Sequence, residues 1–262
     1  MRIALFGATG RMGQALVRLI AAAEDLTLVG AACKAQDPGA GQDVGILAGV
    51  GTLGIEASPD AASAILGADV VIDFSSASAV ATLAALALRQ KVALVSGTTG
   101  LDAPAKYALE KAAEQIPVLW APNTSLGVQV LAEVVEQALR RLGSDYDAEI
   151  VEIHHRKKAD SPSGTAKRLA DAVRAVRPNI RELHGRDGMV GARTDDEVAV
   201  LGVRGGDVVG DHTVYLLGPG ERLEFTHRAS SRELLAHGAL RAARFLVKQK
   251  PGKLYRIADV LG

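Results

Sequence analysis

The sequence predicts an α/β fold, with a doubly wound parallel sheet in its first half and a second α+β domain built on an open, mostly antiparallel sheet. In the first half, short apolar runs alternate with Ala- and Leu-rich helical stretches, which is the pattern of βαβ units. After one long amphipathic helix, the second half changes to alternating strands joined by glycine-rich turns. The 262 residues, 48% of them hydrophobic, are enough to build two cores.

The predicted parallel sheet begins with the first residues of the chain. Apolar runs predict five strands, at 3–6, 26–32, 70–74, 92–96 and 118–120. Apolar residues at helical spacing predict three helices between them, at 11–23, 77–88 and 102–114. Right-handed crossovers between such strands place helices on both faces of the sheet, so we expect it to be doubly wound.

A different pattern begins after residue 124. A helical stripe at 125–142 is followed by a strand at 149–154, a helix at 164–177, and strands at 197–203, 213–217 and 222–227. The tail at 231–248 is again helical. We therefore expect one domain over 1–124, with the C-terminal helix 232–262 packing back on it, and a second domain over 125–231.

A glycine-rich loop follows the first predicted strand and opens the first predicted helix. Its spacing from Gly7 to Gly13 is G-x-x-G-x-x-G, with Thr9 at the usual middle glycine. Amides at such a helix start favour a pyrophosphate, and the alternative is a tight turn without a ligand. We therefore interpret the first domain as a Rossmann-type dinucleotide-binding domain. The expected contacts in this loop are Gly7, Ala8, Thr9, Gly10, Arg11 and Met12.

Three further segments at strand ends complete the predicted coenzyme site. Lys34 follows the second strand, where an acidic residue that binds the ribose of NAD is usual. A lysine there suits the 2′-phosphate of NADPH, so the sequence favours NADPH without excluding NADH; the alternative is an ordinary solvated lysine. Two later loops also lie at strand ends, where open α/β sheets bind ligands, unless their polar residues only cap helices. They contribute Gly97, Thr98, Thr99, Ala121, Pro122, Asn123 and Thr124.

Composition excludes several classes of partner and site. Thirty basic and thirty acidic residues give a net charge of zero, so we expect no nucleic-acid partner and no membrane partner. Cys33 is the single cysteine, which excludes an intramolecular disulfide and a multi-cysteine metal site. With no long apolar run and no signal peptide, we expect a cytoplasmic protein. Four scattered histidines lack metal-ligand spacing, so we expect no metal and interpret them as structural: His184, His212, His227 and His237.

The densest group of reactive side chains lies at the end of the strand at 149–154. His154, His155 and Lys158 fall in a run of five basic or titratable residues that adds positive potential. A hydride transfer onto a polarised C=N or C=C bond needs a proton, which a lysine or a histidine can supply. The alternative interpretation is a solvated basic turn.

A predicted helix start follows this run directly. Ser161 is expected to be the N-cap and Pro162 to lie in the first turn. The amides of Ser163, Gly164 and Thr165 should then point outward, where a substrate carboxylate would satisfy them. Positive charge and open amides within twelve residues predict a site for a small dicarboxylate.

The segment from Glu149 to Ala166 resembles the most specific motif of the 4-hydroxy-tetrahydrodipicolinate reductases, or dihydrodipicolinate reductases, of bacterial and plant lysine biosynthesis. The family pattern is Glu, Ile or Val, any residue, Glu, any residue, His, three residues, Lys, any residue, Asp, any residue and Pro-Ser-Gly-Thr-Ala. Every fixed position is present in this chain. The resemblance continues at 7–13, 97–100, 204–207 and 221–232, so it spans essentially the whole chain.

The resemblance implies a reaction and a set of roles. In this family, NADPH or NADH reduces (2S,4S)-4-hydroxy-2,3,4,5-tetrahydrodipicolinate to tetrahydrodipicolinate with loss of water, in the diaminopimelate route to lysine. His154 would be a proton donor or acceptor, Lys158 the general acid and His155 a substrate contact. Gly164 and Thr165 would hold a substrate carboxylate.

The resemblance also implies an assembly and a coenzyme site. Family members are typically homotetramers joined through the sheets of their substrate-binding domains, so 125–231 is expected to be a substrate-binding and oligomerisation domain. The segments 7–12, 97–99 and 121–124 would line the nicotinamide coenzyme. The chain departs from many relatives at Lys34, where they carry an acidic residue, and this departure puts a preference for NADH in doubt.

Two other interpretations stay open at this point. One is another Rossmann-domain dehydrogenase of amino-acid metabolism, such as a semialdehyde dehydrogenase. That chemistry needs a cysteine at a domain junction, whereas Cys33 falls in or next to the second predicted strand. The other is a non-catalytic NAD(P)-sensing protein, which would leave 154–165 without a role and would normally carry a DNA-binding element.

Overall fold

Twelve strands and eight α-helices form the structure, a computed structural model that describes residues 1–262. The strands are β1 (Arg2–Phe6), β2 (Thr27–Ala32), β3 (Ala57–Ser58), β4 (Val70–Asp73), β5 (Ala93–Ser96), β6 (Val118–Trp120), β7 (Asp147–His154), β8 (Arg181–Leu183), β9 (Glu197–Arg204), β10 (Gly210–Gly218), β11 (Glu221–Ala229) and β12 (Leu254–Tyr255). The helices are α1 (Arg11–Ala21), α2 (Val44–Ala48), α3 (Ala61–Ile65), α4 (Ala77–Gln90), α5 (Ala103–Ala113), α6 (Leu126–Leu142), α7 (Gly164–Val176) and α8 (Glu233–Leu246).

The chain divides into two units. The first joins Met1–Thr124 to Glu233–Gly262, and the second is Ser125–Arg232. In the first unit, an ion pair of 2.9 Å links Arg18 on α1 to Glu233 at the start of α8. None of the helices combines the length and the apolar composition that a membrane span requires.

The sheet of the first unit has seven strands in the order β12-β6-β5-β4-β1-β2-β3, and all of its pairings are parallel. Its central strands are buried on both faces, and Ile3, Leu94 and Val118 have no exposed surface. This burial explains why these strands are continuous apolar runs. Leu83 of α4 and Leu109 of α5 pack into the same core as β5 and β6. The predicted doubly wound parallel sheet is confirmed.

The sheet of the second unit has the order β11-β10-β7-β9-β8. The predicted second sheet is confirmed, but it is mixed: β10 is antiparallel to β7 and β11, whereas β9 is parallel to β7 and β8. Helix α7 returns the chain from the end of β7 to the start of β8, and the connection at 184–196 returns it again to the start of β9, so these three strands run in the same direction. Alternate residues of β7 and β10, such as Ile150 and Val214, are buried with Leu169 of α7, and the residues between them are only partly buried.

Five short elements are missing from the sequence-based prediction. Helices α2 and α3 have five residues each, and β3, β8 and β12 have two or three. The two helices span less than two turns, and the three strands are too short for apolar and polar residues to alternate more than once. They therefore carry no clear hydrophobic period. Asp43 and Asp60 cap the two helices by accepting from backbone amides, a local feature that an apolar pattern does not contain.

Candidate active site

The loop after β7 carries the predicted catalytic residues, and the connection between β9 and β10 supports it. The amide of His155 donates to the carbonyl of Val208 at 2.8 Å, and the amide of Arg156 donates to that of Gly206 at 3.2 Å. Gly206 has φ +52°, a left-handed conformation that glycine adopts without strain. These hydrogen bonds hold the backbone where β7 ends at His154.

His154 is almost buried, with 8% of its surface exposed. Its Nδ1 is hydrogen-bonded to Glu152, and its ring lies edge-on to that of His212, with 5.0 Å between the ring centroids. Burial lowers the pKa of His154, although the Glu152 carboxylate acts in the opposite direction. The imidazole is therefore neutral at neutral pH. Its Nε2 lies beside Gly210, where an added Cβ would come within 2.9 Å of that atom.

Lys158, the second predicted catalytic residue, lies near enough to His154 for its charge to act on the imidazole. Its Nζ donates to both carboxylate oxygens of Asp160, at 2.8 and 2.9 Å. The Lys158 side chain is 19% exposed and that of Asp160 is 63% exposed, so the ion pair opens to solvent. Burial is the main cause of the lowered pKa of His154, and the positive charge of Lys158 is a smaller cause in the same direction. The structure therefore brings the two predicted catalytic groups together.

Glu152 is a fully buried carboxylate that was not among the predicted site residues. Arg204 donates to both of its oxygens, at 2.8 and 2.9 Å, and the amide of Ser163 donates to Oε1 at 3.1 Å. Burial opposes ionisation, but the hydrogen bonds from Arg204 and His154 outweigh it and hold the pKa of Glu152 below its usual value. Two signals were available: Glu152 is a fixed position of the family pattern, and the alternation of β7 puts it on the same face as His154.

The start of α7 differs from the prediction. The helix begins at Gly164, and Ser163 is its N-cap, with Oγ accepting from the amide three residues later at 3.1 Å. The prediction that Ser161 is the cap and Pro162 lies in the first turn is wrong, since both residues precede the helix. The prediction that the Ser163 amide points outward is also wrong, because Glu152 binds it.

Gly164 and Thr165 are the first two residues of α7, as the carboxylate site requires. An added Cβ on Gly164 would meet no atom within 4 Å, so the space beside this helix start is open. Backbone amides in the first turn of a helix carry partial positive charge and suit a carboxylate. The structure thus places these two residues in the same unit as the predicted catalytic groups.

His155 makes a contact that the sequence did not indicate. Its Nε2 accepts a hydrogen bond of 2.8 Å from Arg232. Because a guanidinium only donates, Nε2 is the unprotonated nitrogen of His155. The two residues are 77 positions apart, so only the folded chain shows the pair.

His212, interpreted from the sequence as structural, lies beside the predicted catalytic histidine. It is 3% exposed, its Nε2 lies 3.1 Å from Ser163 Oγ, and its Nδ1 has no hydrogen-bond partner. Burial, with a smaller contribution from His154, lowers the pKa of His212 to about 3. The pairing of β10 with β7 brings His212 opposite Glu152, and this register is not visible in the sequence. No group of three or more His, Cys, Asp or Glu side chains is arranged to hold a metal ion.

The glycine loop lies in the first unit, between β1 and α1. The amides of Gly7 and Ala8 both donate to the carbonyl of Ala32 at 3.0 Å. Gly7 has φ +84°, and an added Cβ would lie 2.7 Å from the carbonyl oxygen of Phe74, so the position requires glycine. Gly10 caps α1 without a side-chain hydrogen bond, and the first turn holds no acidic residue. This helix start therefore fits the pyrophosphate of a dinucleotide.

Lys34 is exposed two residues beyond the end of β2, and Asp37 lies near it. The Asp37 carboxylate accepts from the amide of Gly39 at 2.9 Å and from Thr9 Oγ1 at 2.7 Å. These hydrogen bonds, with the charge of Lys34, hold the pKa of Asp37 below its usual value. Asp37 therefore braces the glycine loop. Asp37 was not among the predicted site residues, although Asp-Pro-Gly after the second strand is a turn signal.

The loop that carries Gly97, Thr98 and Thr99 is held by Asp73, a fully buried carboxylate at the end of β4. Asp73 accepts from the hydroxyls of Ser96 at 2.7 Å and Thr98 at 2.8 Å. Burial raises the pKa of Asp73, and hydrogen bonds from neighbouring hydroxyls act against this rise. The Thr98 hydroxyl is directed to Asp73, and the Thr98 carbonyl accepts from Trp120 Nε1 at 3.0 Å, whereas Thr99 is exposed.

The last predicted coenzyme segment follows β6. The amide of Ala121 donates to the carbonyl of Ser96 at 2.9 Å, which continues the pairing with β5. Thr124 is 1% exposed, and its hydroxyl donates to a backbone carbonyl of α8 at 2.7 Å. Pro122 and Asn123 lie between these two hydrogen-bonded residues. Asn123 is not the N-cap of α6, because that position is Ser125.

Comparison with known proteins identifies the family. The family model described as "Dihydrodipicolinate reductase, N-terminus" matches residues 1–124, and "Dihydrodipicolinate reductase, C-terminus" matches residues 127–261. A 4-hydroxy-tetrahydrodipicolinate reductase from Anaeromyxobacter sp. (strain Fw109-5) is 51% identical, over 100% of this chain and 98% of that protein. A protein of the same name from Geotalea daltonii is 42% identical, over 100% of this chain and 99% of that protein.

A solved structure gives the same fold. Dipicolinate-bound dihydrodipicolinate reductase from Paenisporosarcina sp. TG-14 superimposes with a TM-score of 0.76 at 23% identity, covering 98% of this chain and 97% of that chain. The family models account for almost every residue, and the two relatives match over 98% and 99% of their own length. The chain therefore belongs to the dihydrodipicolinate reductase family.

Proposed function

We propose that this chain reduces 4-hydroxy-tetrahydrodipicolinate to tetrahydrodipicolinate with loss of water, in the diaminopimelate route to lysine, and that NADPH or NADH is the reductant. Membership of the dihydrodipicolinate reductase family supports this reaction. The observation that carries the proposal is the hydrogen-bonded group that joins His154, Lys158 and the start of α7 through Glu152 and Arg204. A dicarboxylate substrate needs an electropositive anchor, and its reduction needs a proton source beside it.

Lys158 is proposed as the proton donor and His154 as the proton acceptor. The balanced reaction takes up one hydride and one proton and releases one water, so the site has to supply a proton. An ammonium group has three N–H donors, and Asp160 takes two of those of Lys158, which leaves the third for the substrate. His154 is neutral with its proton on Nδ1, so Nε2 offers a lone pair.

The substrate carboxylates are proposed to bind at His155 and at the amides of Gly164 and Thr165. The open space beside Gly164 supports this assignment, because an added Cβ there would meet no atom within 4 Å. His155 Nε2 is held by Arg232, so a guanidinium and an imidazole lie together next to the catalytic loop. Two such anchors suit a substrate with two carboxylates.

A bound nicotinamide coenzyme supplies the hydride, and the first unit fits such a group at the glycine loop. The amides at the start of α1 are proposed to bind its pyrophosphate, with Lys34 near the adenosine ribose. Thr98 and Thr99 are proposed to line the nicotinamide end. The remaining proposed coenzyme contacts are Gly7, Ala8, Thr9, Gly10, Arg11, Met12, Gly97, Ala121, Pro122, Asn123 and Thr124.

The reaction is tested by the rate at which the purified chain oxidises NADPH and, separately, NADH in the presence of the freshly generated 4-hydroxy substrate. Rapid oxidation that depends on the substrate is expected. A protein that binds nucleotide but oxidises neither coenzyme would contradict the proposed function.

The same assay tests the role of Lys34. Because an exposed lysine beside the ribose favours a 2′-phosphate, Lys34→Glu is expected to lower kcat/KM with NADPH by about tenfold or more, which corresponds to ~1.4 kcal/mol. The rate with NADH should change much less. Equal losses with both coenzymes would show that Lys34 does not select between them.

We also propose that the chain forms a homotetramer through the partly buried face of the second sheet. Val151 and Ile153 of β7 lie on this face beside Leu201 and Val203 of β9, and Val203 is 47% exposed. Adjacent apolar side chains on an exposed sheet face favour association with another copy.

Light scattering on the purified chain is expected to give four times the mass of one chain. Val203→Glu places a charge on the proposed interface and should give smaller species. Val134→Glu is the matched control, because Val134 is 38% exposed on α6, a helix whose buried residues pack with Ile150 on the opposite face of the sheet. A monomeric wild-type protein would contradict the proposal.

A further inference from the structure

One carboxylate holds several parts of the candidate site together. Glu152 has no exposed surface and accepts four hydrogen bonds: two from Arg204, one from the amide of Ser163 and one from Nδ1 of His154. An ionised carboxylate offers about four acceptor positions and has no proton to donate. The acceptor capacity of Glu152 is thus fully used, by groups from β7, β9 and the start of α7.

The sequence leaves space for this carboxylate. A Cβ added to Gly202 on the neighbouring strand β9 would lie 3.1 Å from Glu152 Oε1. The side chain of Arg204, two residues further along β9, reaches back to both oxygens of Glu152. Glycine at 202 therefore allows a buried carboxylate and its guanidinium partner to lie beside the end of β7.

The hydrogen bond to Glu152 decides where the proton of His154 lies. Since the carboxylate only accepts, Nδ1 carries the proton, and Nε2 of the neutral ring carries the lone pair. Nε2 lies beside Gly210, which has no side chain to cover it. The nitrogen that is left for proton exchange is thus determined by Glu152.

The same network reaches the proposed proton donor. Besides its bonds to Glu152, Arg204 donates to the backbone carbonyl of Asp160 at 2.7 Å. Asp160 in turn holds Lys158 through its carboxylate. A continuous chain of hydrogen bonds and ion pairs therefore runs from His154 through Glu152, Arg204 and Asp160 to Lys158.

We propose that Glu152 is a positioning residue of the reductase: it keeps the proton of His154 on Nδ1 and, through Arg204 and Ser163, holds His154 in place relative to Lys158 and the start of α7. The catalytic part of this inference rests on the proposed function, whereas the position of the proton does not. The competing explanation is that Glu152 only neutralises Arg204.

The charged and titratable groups around His154 set the direction of the expected pH effect. They are Glu152 on β7, His212 on β10, Arg204 on β9 and Lys158 in the loop. Burial is the main cause of the lowered pKa of His154, Lys158 and Arg204 add to it, and Glu152 alone raises the value. Removing the charge of Glu152 should therefore lower the pKa of His154 further.

Glu152→Gln tests the proposal, because it keeps the shape of the side chain and removes its charge. The new amide can donate to Nδ1, which would move the proton of His154 to Nε2. We expect kcat to fall by about 100-fold or more, as expected when a catalytic imidazole holds its proton on the wrong nitrogen. The KM for the coenzyme should stay unchanged, and the limb of the pH–rate profile that reports His154 should move to lower pH.

The position of the proton is read directly by ¹⁵N NMR of histidine-labelled protein, with the His154 signals assigned by their loss in His154→Gln. Wild-type protein should show a protonated Nδ1, and Glu152→Gln a protonated Nε2. This readout needs neither substrate nor coenzyme, so it remains informative if the proposed reaction is wrong. A protonated Nε2 in the wild type would overturn the proposal even if Glu152→Gln does not fold.

Arg204→Gln separates positioning from charge neutralisation. It breaks the same buried ion pair but leaves the carboxylate beside His154, so the proton should stay on Nδ1. The proposal fails if Glu152→Gln and Arg204→Gln lose activity equally while both keep the proton position and the pH profile of the wild type. Glu152 would then serve only to form the ion pair with Arg204.

Discussion

Replacing both Lys158 and His154 by alanine is expected to abolish turnover while leaving the affinity for the coenzyme nearly unchanged. A positioned acid or base contributes about 10²–10⁴ in rate, so each single replacement should already lower kcat by ~100-fold or more. The proposed coenzyme residues lie in the first unit, whereas Lys158 and His154 lie in the second. Steady-state rates and a fluorescence titration with NADPH measure the two effects separately.

Lys157→Ala is the matched control for this experiment. Lys157 is adjacent in the chain, has the same charge and is exposed. Its removal should leave kcat close to the wild-type value, because no proton transfer is assigned to it. If coenzyme binding were lost together with turnover in the double variant, or if Lys157→Ala were equally damaging, the cluster would act as a structural or general electrostatic feature instead.

Acidification is expected to destabilise the protein through His212. Burial lowers the pKa of this side chain from 6.5 to about 3, so between these two values the unfolded chain binds a proton that the folded chain does not. The stability is therefore complete above pH 6.5 and is lost progressively as the pH falls toward 3. The loss is about 1.4 kcal/mol per pH unit, or ~2 kcal/mol between pH 6.5 and pH 5.

Urea unfolding of wild type and His212→Gln at several pH values measures this contribution. The variant should lose ~2 kcal/mol less than wild type between pH 6.5 and pH 5, whatever its stability at neutral pH. His237→Gln, at an exposed position on α8, is the control and should follow the wild-type profile. Parallel profiles for wild type and His212→Gln would show that His212 does not resist protonation in the folded state.

Most of the fold follows from local patterns in the sequence. Strands β1, β4 and β5 are continuous apolar runs because both faces of the parallel sheet are buried. The long stripe of α6 is equally clear, since Val128, Leu131, Val135 and Leu139 are all buried. The direction of β9 could not be predicted from its own residues, because it depends on how α7 and the connection at 184–196 return the chain over the sheet.

The candidate site was predictable only where its residues are consecutive. His154 and Lys158 lie in one short segment, and the structure brings them together. Arg204, His212 and Arg232 contact this segment from β9, from β10 and from the end of the second unit. Their distance along the chain from His154 gives no indication of these contacts.

The start of α7 shows how a distant residue can change a local prediction. A serine followed by proline is a reasonable helix start, and Ser161-Pro162 was interpreted in this way. The structure uses Ser163 as the cap, and the buried carboxylate of Glu152 takes the Ser163 amide. The local sequence thus predicted a helix start in the correct segment. The N-cap lies two residues later than predicted, at Ser163, whose amide is hydrogen-bonded to Glu152.

Hydride transfer to the cyclic 4-hydroxy substrate is tested most directly by following deuterium from the coenzyme to the product. NADPH that carries deuterium at both C4 positions of the nicotinamide is incubated with the substrate and the wild-type chain, and the product is analysed by mass spectrometry. We expect tetrahydrodipicolinate with one deuterium per molecule, formed in step with coenzyme oxidation and not formed by the Lys158→Ala/His154→Ala variant. A product without deuterium, or coenzyme oxidation that yields no tetrahydrodipicolinate, would contradict the assignment of this chain as the reductase.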